Sequence, residues 1–258
     1  MLSAWCGPRE VTQHNSRWQI IEEAAAGRLI GPLGRVAEWQ TRWLQVPVSA
    51  RTWGFKSPLA HKMTSHIAHD AEISNSAHIG DGSQVWNLTQ VRDDVKIGSA
   101  CVIGRSVYIG PGVRIGNNCK IQNNALVYDP AVLDDGVFVG PGVILTNDRV
   151  PRAVTPDGEL KSAADWDPVG VRIGTGASIG AGSVCVAPIS IGAWAMVAAG
   201  STVIRDVPDH ALVAGNPAQF IGWVGRGGTR LREQDGLLVD ASTGDRYRET
   251  DGLLFLIA

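Results

Sequence analysis

The chain of 258 residues contains no run of eighteen apolar residues, so no stretch of it can cross a bilayer as a helix. Lys and Arg (23) nearly balance Asp and Glu (25), and no basic cluster marks a nucleic-acid surface. The first thirty residues lack a sustained apolar core between a basic start and a cleavage site, which argues against a secretory leader. Cysteine is scarce: Cys6, Cys101, Cys119 and Cys185. Cys101 and Cys119 are eighteen apart, a spacing that stacks them if the chain coils with that period. The geometry admits a disulfide, but two reduced, small core residues are the expectation. Histidine is confined to His14, His61, His66, His69, His78 and His210. None of these converge as three ligands on a metal, so no metal is expected.

What the chain does have is a period of six. An aliphatic residue stands at Ile67, Ile73, Ile79, Val85, Val91, Ile97, Ile103, Ile109, Ile115, Ile121, Val127, Leu133, Val139 and Leu145. Four residues after each is a small or β-branched one, such as Ala71, Ser83, Thr89, Cys101 and Ala125. Six is neither the helical period nor the alternation of a simple strand. It fits a triangular solenoid with six residues per side and eighteen per coil. The aliphatic residues fill the interior and the small ones sit beside the corners. Gly often follows the aliphatic position, as at Gly80, Gly104 and Gly140, as tight turns require.

The period fails over 146–170, a polar stretch with three prolines, and returns at Ile173, Ile179, Cys185, Ile191, Val197 and Val203. This segment is a loop inserted into a continuing solenoid, and loops of this length are functional or disordered. Trp166 and the pairs Asn147-Asp148 and Pro151-Arg152 are unlike a solvated linker. The whole makes about six coils, roughly 30 Å long at ~4.8 Å per coil.

The repeats resemble the left-handed parallel β-helix of the hexapeptide acyltransferases, over about residues 64–228. Left-handed crossovers are rare, so the hand is implied by the resemblance and not by the period. The expected fold is all-β. A left-handed β-helix spans 63–208, a short C-terminal helical segment spans 209–228, and a small tail, 229–258, forms a hairpin turning at Thr243-Gly244. Residues 1–62 have no such period and carry five of the nine tryptophans. Their stretch from Gly34 to His61 resembles the conceptual translation of a transfer-RNA gene, and Met63 is the expected true start. A targeting peptide and a helical extension are the rival readings.

The block from Lys120 to Ala153, KIQNNALVYDPAVLDDGVFVGPGVILTNDRVPRA, is similar to N-acetyltransferases of nucleotide-linked amino sugars. The resemblance runs to enzymes acting on the 3-amino group of UDP-2-acetamido-3-amino-2,3-dideoxyglucuronate, with those acting on dTDP-3-amino-hexoses close behind. It implies acetyl-CoA as co-substrate, a cytoplasmic homotrimer with sites in the grooves between prisms, and a place in surface-polysaccharide (lipopolysaccharide) biosynthesis. Exposed Tyr108, Leu126 and Phe138 suit such packing.

Many relatives place a catalytic His at the start of the loop; here that place holds Asn147, and the loop has no His. An amide cannot be a general base at neutral pH. The substitution favours an amine acceptor over a hydroxyl, with Asn147 aiming the nitrogen; a loop Asn capping a turn is the bland alternative. The sugar groove is expected from Asn123, Asn124, Tyr128 and Asp129, with Arg152 on a carboxylate or phosphate. Asn at such turns is equally a holder of left-handed backbone. Trp86, Asn87 and Arg105 are expected to receive the nucleotide, although relatives commonly have His where Asn87 stands. The resemblance puts CoA along later coils at Ser183, Ala198, Ala199 and Gly200, with Arg205 on its phosphates. Backbone N–H groups around Gly140 to Gly142 are the expected oxyanion donors. Three other functions compete: an O-acetyltransferase, a β-helix carbonic anhydrase and a non-catalytic binding solenoid. The missing loop His argues against the first, and the dispersed His66, His69 and His78 against the second.

Overall fold

In the computed structural model, which describes residues 65–257, the chain winds into a three-sided parallel β-solenoid. The readings made for residues 1–62, and for Cys6, His14 and His61, lie outside the described residues. Face A carries His66–Ile67, Gln84–Val85, Val102–Ile103, Lys120–Ile121, Phe138–Val139, Ser178–Ile179 and Met196–Val197. Face B runs from Glu72–Ile73 to Thr202–Val203, and face C from His78–Ile79 to Ile189–Ile191. Each strand pairs in parallel with the strand one coil on, as Ile103 does with Ile121 and Ile121 with Val139. The stacked coils are consistent with the left-handed β-helix that the resemblance implies.

The sides differ from the expected six-residue strands. Most ladders pair two residues per side, and the other four form the corner. From Val85 onward the second residue of each two-residue pair points inward and is buried, and the first points out; in the open first coil Ile67 is exposed and Ile73 and Ile79 are half-buried. The interior is an aliphatic column from Val85 to Val203, including Cys101, Cys119 and Cys185 as free thiols.

The corners explain the glycines differently from a simple turn requirement. Where a corner contains a left-handed residue it is the third, as at Gly82 (φ 73°), Leu88 (φ 57°) and Asn124 (φ 62°). That conformation at the third of four turn residues is what a type II turn needs. The glycine that follows the aliphatic position, such as Gly80, is there for stacking. A Cβ on it would meet the backbone carbon of Gly98 at 2.6 Å. Buried hydroxyls bond carbonyls across the corner: Ser83 Oγ to Gly98 at 2.8 Å and Thr89 Oγ1 to Gly104 at 2.8 Å.

The 146–170 segment leaves the corner between faces B and C and the coil closes beneath it. Leu133 pairs with Ile173 in the register by which Ile115 pairs with Leu133. The neck is tied by Val169 N–H to the Asn147 carbonyl at 3.0 Å. Within the loop, Val154 and Leu160 form an antiparallel bridge, and a 3-10 turn at Ala163–Asp165 is capped by Ser162.

The expected C-terminal helix is absent. Ala211–Gly215 instead adds a parallel strand to face A and turns back as Ala218–Trp223. Ala211 and Val213 alternate inward, a period of two. Pro217 and three nearby glycines (Gly215, Gly222, Gly225) disfavour a helix, while a strand gives Met196–Val197 its partner. The tail is a four-stranded antiparallel meander, Arg232–Gln234, Leu237–Val239, Arg246–Thr250 and Leu253–Leu256, rather than one hairpin. Thr243-Gly244 lies between its second and third strands. Its Tyr247 and Leu254 join the aliphatic core through Trp223 and Leu231.

Candidate active site

The candidate residues gather on two of the three edges, with face B between them. The edge between faces A and B holds Trp86, Asn87, Arg105, Asn123 and Asn124, and above them Gly140, Gly142, Ser183, Ala198, Ala199 and Gly200. The edge between faces B and C holds Tyr128, Asp129 and Asn147, with Arg205 higher up; Arg152 lies out in the inserted loop. A six-residue side spans at most about 20 Å, so one extended molecule can touch both edges.

On the first edge a cavity of about 320 Å³ is lined by Trp86, Asn87, Val102, Gly104, Arg105, Gln122 and Asn123. Trp86 is 42% exposed there. Its ring meets His66 edge-on, with centroids 5.8 Å apart. Asn87 donates to Asp70 at 2.8 Å, which fixes its amide. Asn123 accepts the Arg105 backbone N–H at 2.9 Å and Asn124 sits in left-handed backbone, so both carry structural duties. The Asn123 amide nitrogen and the exposed Arg105 guanidinium remain available to a ligand. Gln122 was not expected in this cavity; its stacking one coil above Gly104 is the signal that could have found it.

Several expected contacts fail on inspection of their hydrogen bonds. The oxyanion donors proposed around Gly140 to Gly142 are spent: Gly140 N–H bonds Ile179 O at 2.8 Å, Pro141 has none, and Gly142 N–H bonds Asn123 O at 3.0 Å. Ser183 is fully buried, with its hydroxyl on Ala198 O at 3.0 Å, so it touches no ligand. Ala198 and Gly200 N–H groups bond Val213 O and Ala181 O. Ala199 is exposed, and its N–H makes no hydrogen bond among the described residues.

On the second edge, Val127 pairs with Leu145, which puts Asn147 one coil above Asp129. Asn147 is half-buried at the loop's neck. Tyr128 lies against Tyr108 of face B, ring centroids 5.2 Å apart. Burial raises the Tyr108 phenol above its ordinary pKa, keeping it a neutral donor. Between the edges, face B presents Tyr108, Leu126, Ile144 and Val184, all half-buried and in register. Phe138 projects from face A. Arg152 lies in the loop with its guanidinium on the neighbouring Pro151 carbonyl at 3.0 Å. None of the three described cysteines offers a surface nucleophile. Burial pushes the Cys185 thiol up to about 12, and the Cys101 and Cys119 thiols donate inward to Gly116 O and Asp134 O, each at 3.1 Å.

Residues 76–111 and 112–147 match the family described as bacterial transferase hexapeptide (six repeats). Residues 94–129 and 170–205 match the hexapeptide repeat of succinyl-transferase. Together these matches fall on the repeat-bearing coils, on both sides of the inserted loop. Among curated proteins, the chain is 49% identical over 79 residues to dTDP-3-amino-3,6-dideoxy-alpha-D-galactopyranose 3-N-acetyltransferase of Aneurinibacillus thermoaerophilus, covering 31% of this chain and 41% of that one. It is 47% identical over 92 residues to serine acetyltransferase 4 of Arabidopsis thaliana, covering 33% and 25%. The hexapeptide chain thus spans less than half the length of these relatives. Among solved structures, LpxA of Bacteroides fragilis 9343, a UDP-N-acetylglucosamine acyltransferase, overlays with a TM-score of 0.50 at 18% identity, covering 62% of this chain and 61% of that one. This last likeness speaks to the fold.

Proposed function

We propose that this chain is an acetyl-CoA-dependent N-acetyltransferase acting on the 3-amino group of a nucleotide-linked amino sugar. The observation that carries the proposal is the loop neck, where Asn147 stands over Asp129 on an edge with no histidine. The 49% identity to an enzyme named for 3-N-acetylation of a dTDP-linked sugar supports the acceptor class. That name favours a dTDP-3-amino-hexose over the UDP-linked glucuronate; the two share the attacked amine. The 47% identity to a serine acetyltransferase supports the acetyl group but points to a hydroxyl, and an amide at the neck is poorly suited to deprotonate one.

Asp129 holds the incoming ammonium through a charge-assisted bond. After the ammonium releases one proton to water, the neutral amine donates one N–H to the Asn147 carbonyl oxygen, which aims its lone pair at the thioester carbon. The C–N bond forms and the C–S bond breaks. The thiolate, whose thiol pKa is about 8.5, leaves with the amine's proton. Among the described residues the cysteines are all buried, so transfer is direct from thioester to amine. Positioning supplies much of the rate, because amine and thioester are held together rather than meeting by diffusion. Trp86 and Arg105 take the nucleotide base and a phosphate across the cavity on the first edge; Ala199 N–H and Arg205 take pantetheine and a CoA phosphate. Two such edges come together when prisms pack side by side along apolar face B, so the active assembly is a homotrimer in the cytoplasm, serving surface-polysaccharide synthesis.

The test is CoA release from acetyl-CoA with a panel of dTDP- and UDP-linked 3-amino sugars and with serine. Turnover with an amino sugar, reduced about 100-fold or more in Asn147→Ala, supports the proposal. Release with serine alone, or full activity in Asn147→Ala, ends it.

A further inference from the structure

Face C differs from the other two in charge. Its outward residues, one per coil and in register, are His78, Lys96, Arg114, Val132, Arg172 and Ser190. Face B presents no cation in the equivalent places, and face A only Lys120. Three of the four outward coil cations therefore share one face, in a chain of net charge −2. Lys96 and Arg114 are direct neighbours across a parallel ladder. Like charges so placed repel and destabilise the sheet. Among the described residues neither forms an ion pair; the one ion pair is Arg226 with Asp245.

The nearby carboxylates are largely committed elsewhere. Asp135 accepts the Asn117 backbone N–H at 2.6 Å and its side-chain amide at 3.2 Å. Asp209 accepts Ala193 N–H at 2.8 Å. Asp134 stands free at the rim. Alongside the cations run two cavities, of about 460 and 350 Å³, that share Val132, Asp134 and Thr175 and so form one trough. Lys96 and Arg114 stand at one end, about 5 Å apart, and Arg172 lies two coils, about 10 Å, beyond Arg114. The Val132 side chain separates the two cationic ends with an apolar step.

We propose that this trough binds a diphosphate-bearing small molecule of the nucleoside diphosphate class. The diphosphate bridges Lys96 and Arg114, removing their repulsion, and the nucleoside lies over Val132 toward Arg172 and Thr175. The site lies on face C toward its edge with face A, the one edge that the proposed catalytic track does not use, and it goes beyond the acetyl-transfer reading without depending on it. Lys and Arg are suited to the task in different ways, Arg by its planar fork and Lys as a compact charge.

The test is equilibrium binding of inorganic pyrophosphate, dTDP and CoA to the full chain at physiological salt, by calorimetry. The comparison is the native protein, Asn147→Ala, and a combined Lys96→Gln/Arg114→Gln variant whose fold is checked by circular dichroism. Saturable binding of pyrophosphate and dTDP, retained in Asn147→Ala and weakened at least tenfold in the combined variant, is expected. Tighter binding of dTDP than pyrophosphate identifies the nucleoside contribution, and CoA binding that the variant also weakens identifies the acyl donor as the source. No binding by native protein, or binding unchanged by the two substitutions, overturns the proposal. Loss of CoA release in the amino-sugar assay with pyrophosphate binding intact would overturn the acetyl-transfer reading alone.

Discussion

The coils from His66 to Val203 and the meander from Arg232 to Leu256 are both β-structure, yet they are held together by different physics. In the coils, the interior is a column of aliphatic side chains and the polar groups inside are single hydroxyls bonded to carbonyls. The meander is organised by one buried carboxylate. Asp240 accepts hydrogen bonds from Thr229 Oγ1 (2.6 Å), Ser242 Oγ (2.6 Å), Ser242 N–H (2.9 Å) and Gly227 N–H (3.1 Å). Burial alone would raise its pKa, but the Ser242 and Thr229 hydroxyls and the two N–H groups outweigh that and hold it well below the usual carboxylate range. Beside it, the Arg226 side chain pairs with Asp245 at 3.0 Å and Trp223 Nε1 donates to Glu249 at 2.8 Å. A repeated apolar column tolerates change at any one level by sharing it with its neighbours. A single polar node concentrates its stability in one residue.

The contrast can be broken at its strongest point first. Ile121→Asp puts an unpaired charge in the column and is expected to cost more than about 4 kcal/mol, enough to abolish cooperative unfolding of the coils in urea. Asp240→Ala leaves the donors of Thr229, Ser242 and Gly227 without their acceptor. A loss of about 3 kcal/mol is expected, read by hydrogen exchange as faster opening of 226–256 while the coils from 84 to 145 keep their protection. Equal loss of protection in both regions would show that they unfold as one unit.

Acid sharpens the same contrast. A carboxylate whose folded pKa is depressed stabilises the fold at pH above its unfolded value, about 4, and that contribution is lost as pH falls toward the folded value. The gap in melting temperature between native protein and Asp240→Ala is therefore expected to be widest near neutral pH and to narrow as pH falls from about 5 to 3. A gap that stays constant would mean the carboxylate's charge is irrelevant. The smallest effect expected is in Trp223→Phe, which keeps the ring's packing and removes the bond to Glu249. About 1 kcal/mol is predicted, seen as a small shift in the urea midpoint.

The same difference explains what could be read in advance. The aliphatic residues from Ile67 to Leu145 repeat because every coil meets the same interior, so their spacing carried the prism, its corners and the insertion. Asp240 has no such signature: its donors come from positions 227, 229 and 242, brought together only by folding. The segment after Asp206 was read as a helix, but a sheet edge left open by Met196–Val197 draws Ala211–Gly215 into a strand. At the candidate site, the eighteen-residue spacing was enough to set Trp86 and Arg105 one coil apart on one edge, but the single sugar groove expected from Asn123, Asn124, Tyr128 and Asp129 is split: the two asparagines stand on the edge between faces A and B, and Tyr128 and Asp129 on the edge between faces B and C. The spacing could not show that the N–H groups of Gly140 and Gly142 were already engaged, because their acceptors, Ile179 and Asn123, lie in other coils.

The pairing of Leu133 with Ile173 has a wider consequence. The scaffold joins across the loop as though the loop were not there, so natural variation can lengthen, shorten or rewrite that graft while the walls stay put. One excursion of the chain can be exchanged while the coils on either side of it keep their register.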